Sequence, residues 1–148
     1  MDELNINGLI LTPLKRIDNQ KGNIWHVMKK NDPGYTDFGD VYFSTINSGV
    51  IKGWNKHKRM TLNLIVPKGE VEFVIYDDRK DSVTKDNFTN LILSPKNYQR
   101  LTIPPDLWVS FKSISEKPGW ILNIADIKHD PDEMKKKPLD QIKYDWNC

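Results

Sequence analysis

Short runs rich in β-branched and aromatic residues, each closed by a turn signal, follow one another along almost the whole chain. They lie at 9–12, 22–28, 40–45, 50–54, 60–66, 71–76, 89–93, 99–103, 108–113 and 120–127. Such composition in such short runs predicts strands. The breaks are Asn31-Asp32-Pro33-Gly34, Asn47-Ser48-Gly49, Pro67-Lys68-Gly69, Ser94-Pro95-Lys96-Asn97 and Lys117-Pro118-Gly119. Around Pro67-Lys68-Gly69 the alternation is strong: Leu62, Leu64 and Val66 on one side, Val71, Phe73 and Ile75 on the other. That pattern predicts a hairpin with one apolar and one mixed face. Helical periodicity is weak except over residues 131–142. The expectation is an all-β sandwich, jelly roll or small barrel with a short C-terminal helix. Barrels of this kind hold ligands in the mouth, on inward-facing side chains.

Length and charge narrow the field further. A chain of 148 residues fits a single domain, 1–148, and buries a core without staples. The net charge is +2, with Lys and Arg spread among Asp and Glu, so a nucleic-acid partner is not expected. The single cysteine, Cys148, excludes an intrachain disulfide, and Met1-Asp2-Glu3-Leu4 lacks a signal pattern. No apolar run approaches the ~18 residues of a membrane span. These features predict a cytoplasmic protein with no membrane association. The sequence also lacks a Gly-rich phosphate loop, a Gly-x-Ser-x-Gly elbow and a Cys-x-x-Cys pair.

One stretch carries more specific information. From Gly49 the chain reads Val50-Ile51-Lys52-Gly53-Trp54-Asn55-Lys56-His57, and continues through Arg59 to Leu62 and Gly69. This resembles the first cupin motif: Gly, five residues, His-x-His, a short gap, Glu, six residues, Gly. Asn55 stands at the first His position, His57 at the second and Leu62 at the Glu position. A divalent metal needs several N or O ligands converging on one point. Asn55 and Leu62 do not supply them, so neither metal nor another cofactor is expected.

Further segments make the resemblance more specific. Asp18 to Gly22 resembles an opening turn. Val41-Tyr42-Phe43 and Val50-Ile51-Lys52-Gly53 resemble ketoisomerase strands. Gly69-Glu70-Val71 with Asp77-Asp78-Arg79 and Ser82 resembles an epimerase run. Ile103-Pro104-Pro105 with Leu107-Trp108 resembles the second cupin motif, and Tyr144-Asp145-Trp146 the end of the epimerase chain. The chain thus resembles the RmlC-like cupins: dTDP-4-dehydrorhamnose 3,5-epimerases and dTDP-4-keto-6-deoxyhexose 3,4-ketoisomerases. The resemblance implies a jelly-roll homodimer with a nucleotide-linked sugar, of dTDP type, in its mouth. It also implies isomerisation through an enolate, with a His base and a Tyr acid.

Departures fall on the chemistry. Asn55 occupies the base position, and an amide accepts no proton at neutral pH. Val109 occupies the motif-two His position, and His129 falls near the expected Tyr. The remaining catalytic candidates are His57, Lys52, Tyr42 and His129. Candidates for substrate contact are Asn55, Arg59 and Arg100 (the last two for a diphosphate), with Trp54 and Trp108 for stacking. Each also has a structural reading: strand or rim residues for the polar groups, ion pairs with Asp77 or Asp78 for an arginine, core or dimer contacts for the tryptophans. Asp126 to Glu133 has a metal-like composition, but its proline and acid run read better as a loop entering the terminal helix. Two alternatives stay open beside an isomerase: a non-catalytic carbohydrate-binding relative, and a scaffold with a vestigial pocket.

Overall fold

The computed structural model describes residues 4–146; Cys148 and the first three residues lie outside them. Among the described residues twelve strands run in order: β1 Ile10–Pro13, β2 Arg16–Ile17, β3 Ile24–Trp25, β4 Asp40–Ile46, β5 Ile51–His57, β6 Leu62–Lys68, β7 Val71–Tyr76, β8 Phe88–Leu93, β9 Gln99–Ile103, β10 Trp108–Ser113, β11 Gly119–Ala125 and β12 Met134–Lys136. They form two five-stranded sheets, β1-β9-β6-β11-β4 and β12-β5-β10-β7-β8, plus the small β2-β3 pair. All pairings are antiparallel. The expected all-β jelly-roll sandwich is the observed one.

The core lies between the sheets. Leu62, Leu64 and Val66 of β6 face Val71, Phe73 and Ile75 of β7, with Leu101, Ile103, Val109 and Ile121 around them. Each such side chain stabilises the fold by roughly 1.5–3 kcal/mol through burial. A second cluster covers the outer face of the β5-β10-β7 sheet. Trp54, Val74, Trp108 and Ile142 are buried there beneath Tyr144 and Trp146. The chain after β12 therefore acts as a strap across that face.

Three sequence expectations change. The hairpin at Pro67-Lys68-Gly69 does not form. β6 pairs with β9 and β11, β7 with β8 and β10, and the turn carries the chain from one sheet to the other. The apolar alternation is a sandwich contact: the two inner faces pack on each other instead of lying side by side. The run at 22–28 keeps only β3. Beyond it the carbonyls of His26 and Val27 accept from the Tyr98 hydroxyl and the Arg100 guanidinium, side chains in place of a ladder. Over 131–142 the helix is reduced to two 3-10 turns, Pro131–Glu133 and Leu139–Gln141, flanking β12. Pro131 sits at the first turn, where proline is tolerated, but Pro138 would break a longer helix, and the segment between them finds the open edge of β5.

Candidate active site

A cavity of about 260 Å³ opens between the sheets. Its floor is apolar, with Met60, Leu62, Leu64, Phe73, Val109, Phe111 and Ile121. Its polar atoms come from both walls: Lys52, Asn55 and His57 on β5, Tyr42 and Ser44 on β4, Asn123 on β11. His129 and Met134 complete the lining from the C-terminal segment. The structure thus brings together Tyr42, Lys52, Asn55, His57 and His129.

Lys52, Asn55 and His57 share a face only because β5 is irregular. Val109 of β10 pairs with Asn55 and Phe111 with Lys52, leaving Ser110 opposite both Gly53 and Trp54. Two residues against one is a β-bulge, which re-aims the side chains beyond it. Gly53 makes the bulge possible. Its φ is +138, and a Cβ there would lie 2.6 Å from the Ser110 hydroxyl oxygen. The bulge also turns Trp54 outward, where it is 1% exposed in the strap cluster.

His57 has a fixed orientation. Its Nδ1 bonds the carboxylate of Glu133, whose side chain is only 2% exposed. A carboxylate only accepts, so Nδ1 carries the proton and Nε2 keeps its lone pair in the neutral ring. Glu133 is held in turn by the backbone N–H of Arg59 (3.2 Å) and of Met60 (3.3 Å). Burial pushes the Glu133 carboxyl up, but the bonds from His57, Arg59 and Met60 outweigh it and hold it below the ordinary range. The residue arrives because β12 pairs Met134 with His57. Lys52 donates to the Thr45 carbonyl at 3.0 Å, which uses one of the three ammonium hydrogens at the rim.

The remaining candidates do not reach the cavity. Arg100 is fully buried; it donates to the carbonyls of Val27 and Pro33 and pairs with Asp32 at 3.6 Å. It clamps the 27–33 segment onto the sheet. Arg59 pairs with Asp130 at 2.8 Å on an exposed neighbouring groove. Trp108 faces outward and donates its indole N–H to Asp78 at 2.8 Å, with Lys56 on the other carboxylate oxygen at 2.6 Å. The aspartates near the expected arginine sites are used otherwise, Asp77 by Arg79 and Asp78 by Lys56.

Glu133 and Asn123 were not singled out from sequence. Glu133 lies 76 residues from His57, and nothing local links them. Asn123 did leave a signal, a lone amide among Ile121, Leu122, Ile124 and Ala125.

No family-wide sequence model matches the chain. A probable low-salt glycan biosynthesis epimerase, Agl13, of Haloferax volcanii is 31% identical over 151 residues, covering 97% of this chain and 96% of that protein. Among solved structures, a dTDP sugar isomerase from Desulfovibrio desulfuricans G20 superposes with a TM-score of 0.90 at 32% identity, over 95% of this chain and 90% of that one. The fold is shared with dTDP-4-dehydrorhamnose 3,5-epimerase from Elizabethkingia anophelis at a TM-score of 0.83 and 16% identity, over 99% and 86% of the two chains. Full-length likeness at this identity, on the same two-sheet sandwich, places the chain in the RmlC-like cupins, the family of the dTDP-sugar isomerases and epimerases.

Proposed function

We propose that the protein is an isomerase of nucleotide-linked keto sugars in glycan or polysaccharide assembly, working through an enolate. The observation that carries this reading is the His57–Glu133 pair on an apolar cavity. A buried carboxylate on Nδ1 orients Nε2 as a base, and the apolar floor strengthens any charge interaction made there. Nε2 takes a proton from a carbon α to the ketone, and the electrons pass to the carbonyl oxygen. Lys52 supplies a cation for that oxygen or for the diphosphate, and the Asn55 amide meets a hydroxyl. His129 stands at the rim. Tyr42 lies on the sheet opposite His57, on the other side of any ring bound between them. The cavity, about 260 Å³, is smaller than the roughly 300–1,000 Å³ of pockets that enclose drug-sized ligands. It suits one sugar ring with its nucleotide at the mouth. The names of the two relatives near 30% identity, a glycan epimerase and a dTDP-sugar isomerase, support the substrate class.

A second reading, a carbohydrate-binding module without turnover, is favoured by Asn55 and Val109 at two positions that are histidine in the cupin motifs the chain resembles. Such a module has no evident need for a buried carboxylate on a cavity-facing imidazole. The single cysteine supports a reducing, cytoplasmic setting, and Asn55 and Leu62 at the ligand positions of the motif support metal independence. The exposed apolar side chains of Val41, Phe43 and Trp120 on the outer β4-β11 face support self-association as a homodimer.

The test is deuterium uptake from heavy water by dTDP-4-keto sugars, read by mass spectrometry. The wild type should exchange a proton α to the ketone, and His57→Ala should slow this by about 100-fold or more. Saturable thermal stabilisation by the same ligands without exchange would select the binding module instead.

A further inference from the structure

We propose that Asn123 is a positioning residue that makes Tyr42 a hydrogen-bond donor aimed into the cavity; this rests on the enolate reading above. The two residues are direct cross-strand partners on β11 and β4, so their side chains share the inner face. Asn123 is 3% exposed, between Ile121 and Ala125 on a face otherwise apolar. A buried amide is costly unless both of its ends are satisfied.

Both ends are satisfied, and in one order only. The backbone N–H of Asn63 lies 3.2 Å from the Asn123 side chain. A backbone N–H can only donate, so the atom facing it is Oδ1 and the other is the NH2 group. That NH2 donates to the Tyr42 phenolic oxygen at 3.0 Å. Asn63 is itself anchored, accepting from Thr102 and donating to the Gly34 carbonyl at 3.1 Å. The amide therefore cannot reverse without leaving Asn63 unpaired. Tyr42 accepts from Asn123, and no hydrogen bond to another described residue takes its own proton. The O–H is left for whatever occupies the cavity that both residues line.

In the reaction the O–H bond breaks as a new C–H bond forms on the enolate carbon, on the face away from His57. The phenolate oxygen keeps the Asn123 N–H, which stabilises the charge that develops there. The His57 imidazolium releases its proton to water, and Tyr42 regains one from water.

The isosteric Asn123→Asp change tests this. Aspartate still accepts from Asn63, but presents an acceptor to Tyr42 and draws the phenolic proton inward. Conversion should fall about 100-fold, as in Tyr42→Phe, and the double variant should fall no further. KM should stay near wild type, while the melting temperature falls because a carboxylate replaces a buried amide; Tyr42→Phe, which buries no charge, separates that loss from the loss of conversion. Deuterium exchange into recovered substrate should persist, because the His57 side is untouched. Full conversion in Asn123→Asp, or equal loss of exchange and conversion, would overturn the proposal while leaving the enolate reading intact. Absence of exchange in the wild type would overturn both.

Discussion

Glu133 and His57 show how a single contact fixes the tautomer of a strand histidine and leaves Nε2 with the lone pair that the proposed base role requires. The carboxylate is paired and hydrogen-bonded by two backbone amides, so it holds the ring without ambiguity of tautomer. Glu133→Gln keeps an acceptor for Nδ1 but removes the charge that stabilises imidazolium. Turnover should fall by about 100-fold with KM little changed, measured in steady-state kinetics with a 4-keto sugar nucleotide. At this scale the sequence was half legible. His57, Lys52, Asn55 and Tyr42 could be singled out from spacing and resemblance, and all of them line the cavity. Arg100, Trp54 and Trp108 had the right chemistry on the wrong side, since residue type says nothing about which face a side chain takes.

The element that decides the site is β5, and within it the bulge at Gly53-Trp54. A regular strand alternates faces, so Lys52 and Asn55, three apart, would point oppositely. The extra residue restores them to one face and sends Trp54 to the other. Gly53→Ala combines positive φ with a Cβ inside the Ser110 contact distance. It should destabilise the fold by about 2–4 kcal/mol, read as a lower urea midpoint, and should abolish ligand stabilisation in whatever remains folded. The β6 and β7 pair teaches a related lesson. Their alternation was correctly read, but alternation reports burial of a face and not the identity of the neighbour. A turn of Pro67-Lys68-Gly69 can close a hairpin or carry the chain between sheets, and the packing of Leu64 against the opposite layer favours the second.

Across the whole molecule, partly or fully buried acidic groups gather donors, Asp77 within its own loop and Asp78 and Glu133 from distant segments. Asp77, fully buried, accepts from Arg79, Ser82 and Thr84. Burial pushes its carboxyl up, and these donors pull it well below its ordinary value of 3.8. Asp78 and Glu133 are depressed for the same kind of reason, with burial opposing and hydrogen bonds prevailing. A carboxyl with a folded pKa below its unfolded one adds stability that is complete above the unfolded value and is lost as pH falls toward the folded one. Stability should therefore hold level above about pH 5 and decline below about pH 4. Asp77→Asn should flatten that decline and cost about 3 kcal/mol at neutral pH by leaving Arg79 without its charge partner, measured by urea unfolding across pH.

The strands and the all-β class were legible in the chain itself, because a period-2 pattern and turn residues are local physics, while the burial of β6 on both faces was not. The cupin frame, with Asn55, Leu62 and Val109 at its altered positions, was legible as spacing. Tertiary structure alone decided the rest. It set the bulge that gathers Lys52, Asn55 and His57, the strap that buries Trp54, and the edge pairing of β12 that delivers Glu133 across 76 residues. Those features depend on which sheet edge a distant segment finds free. That is a competition among long-range contacts, and no window of sequence contains both partners.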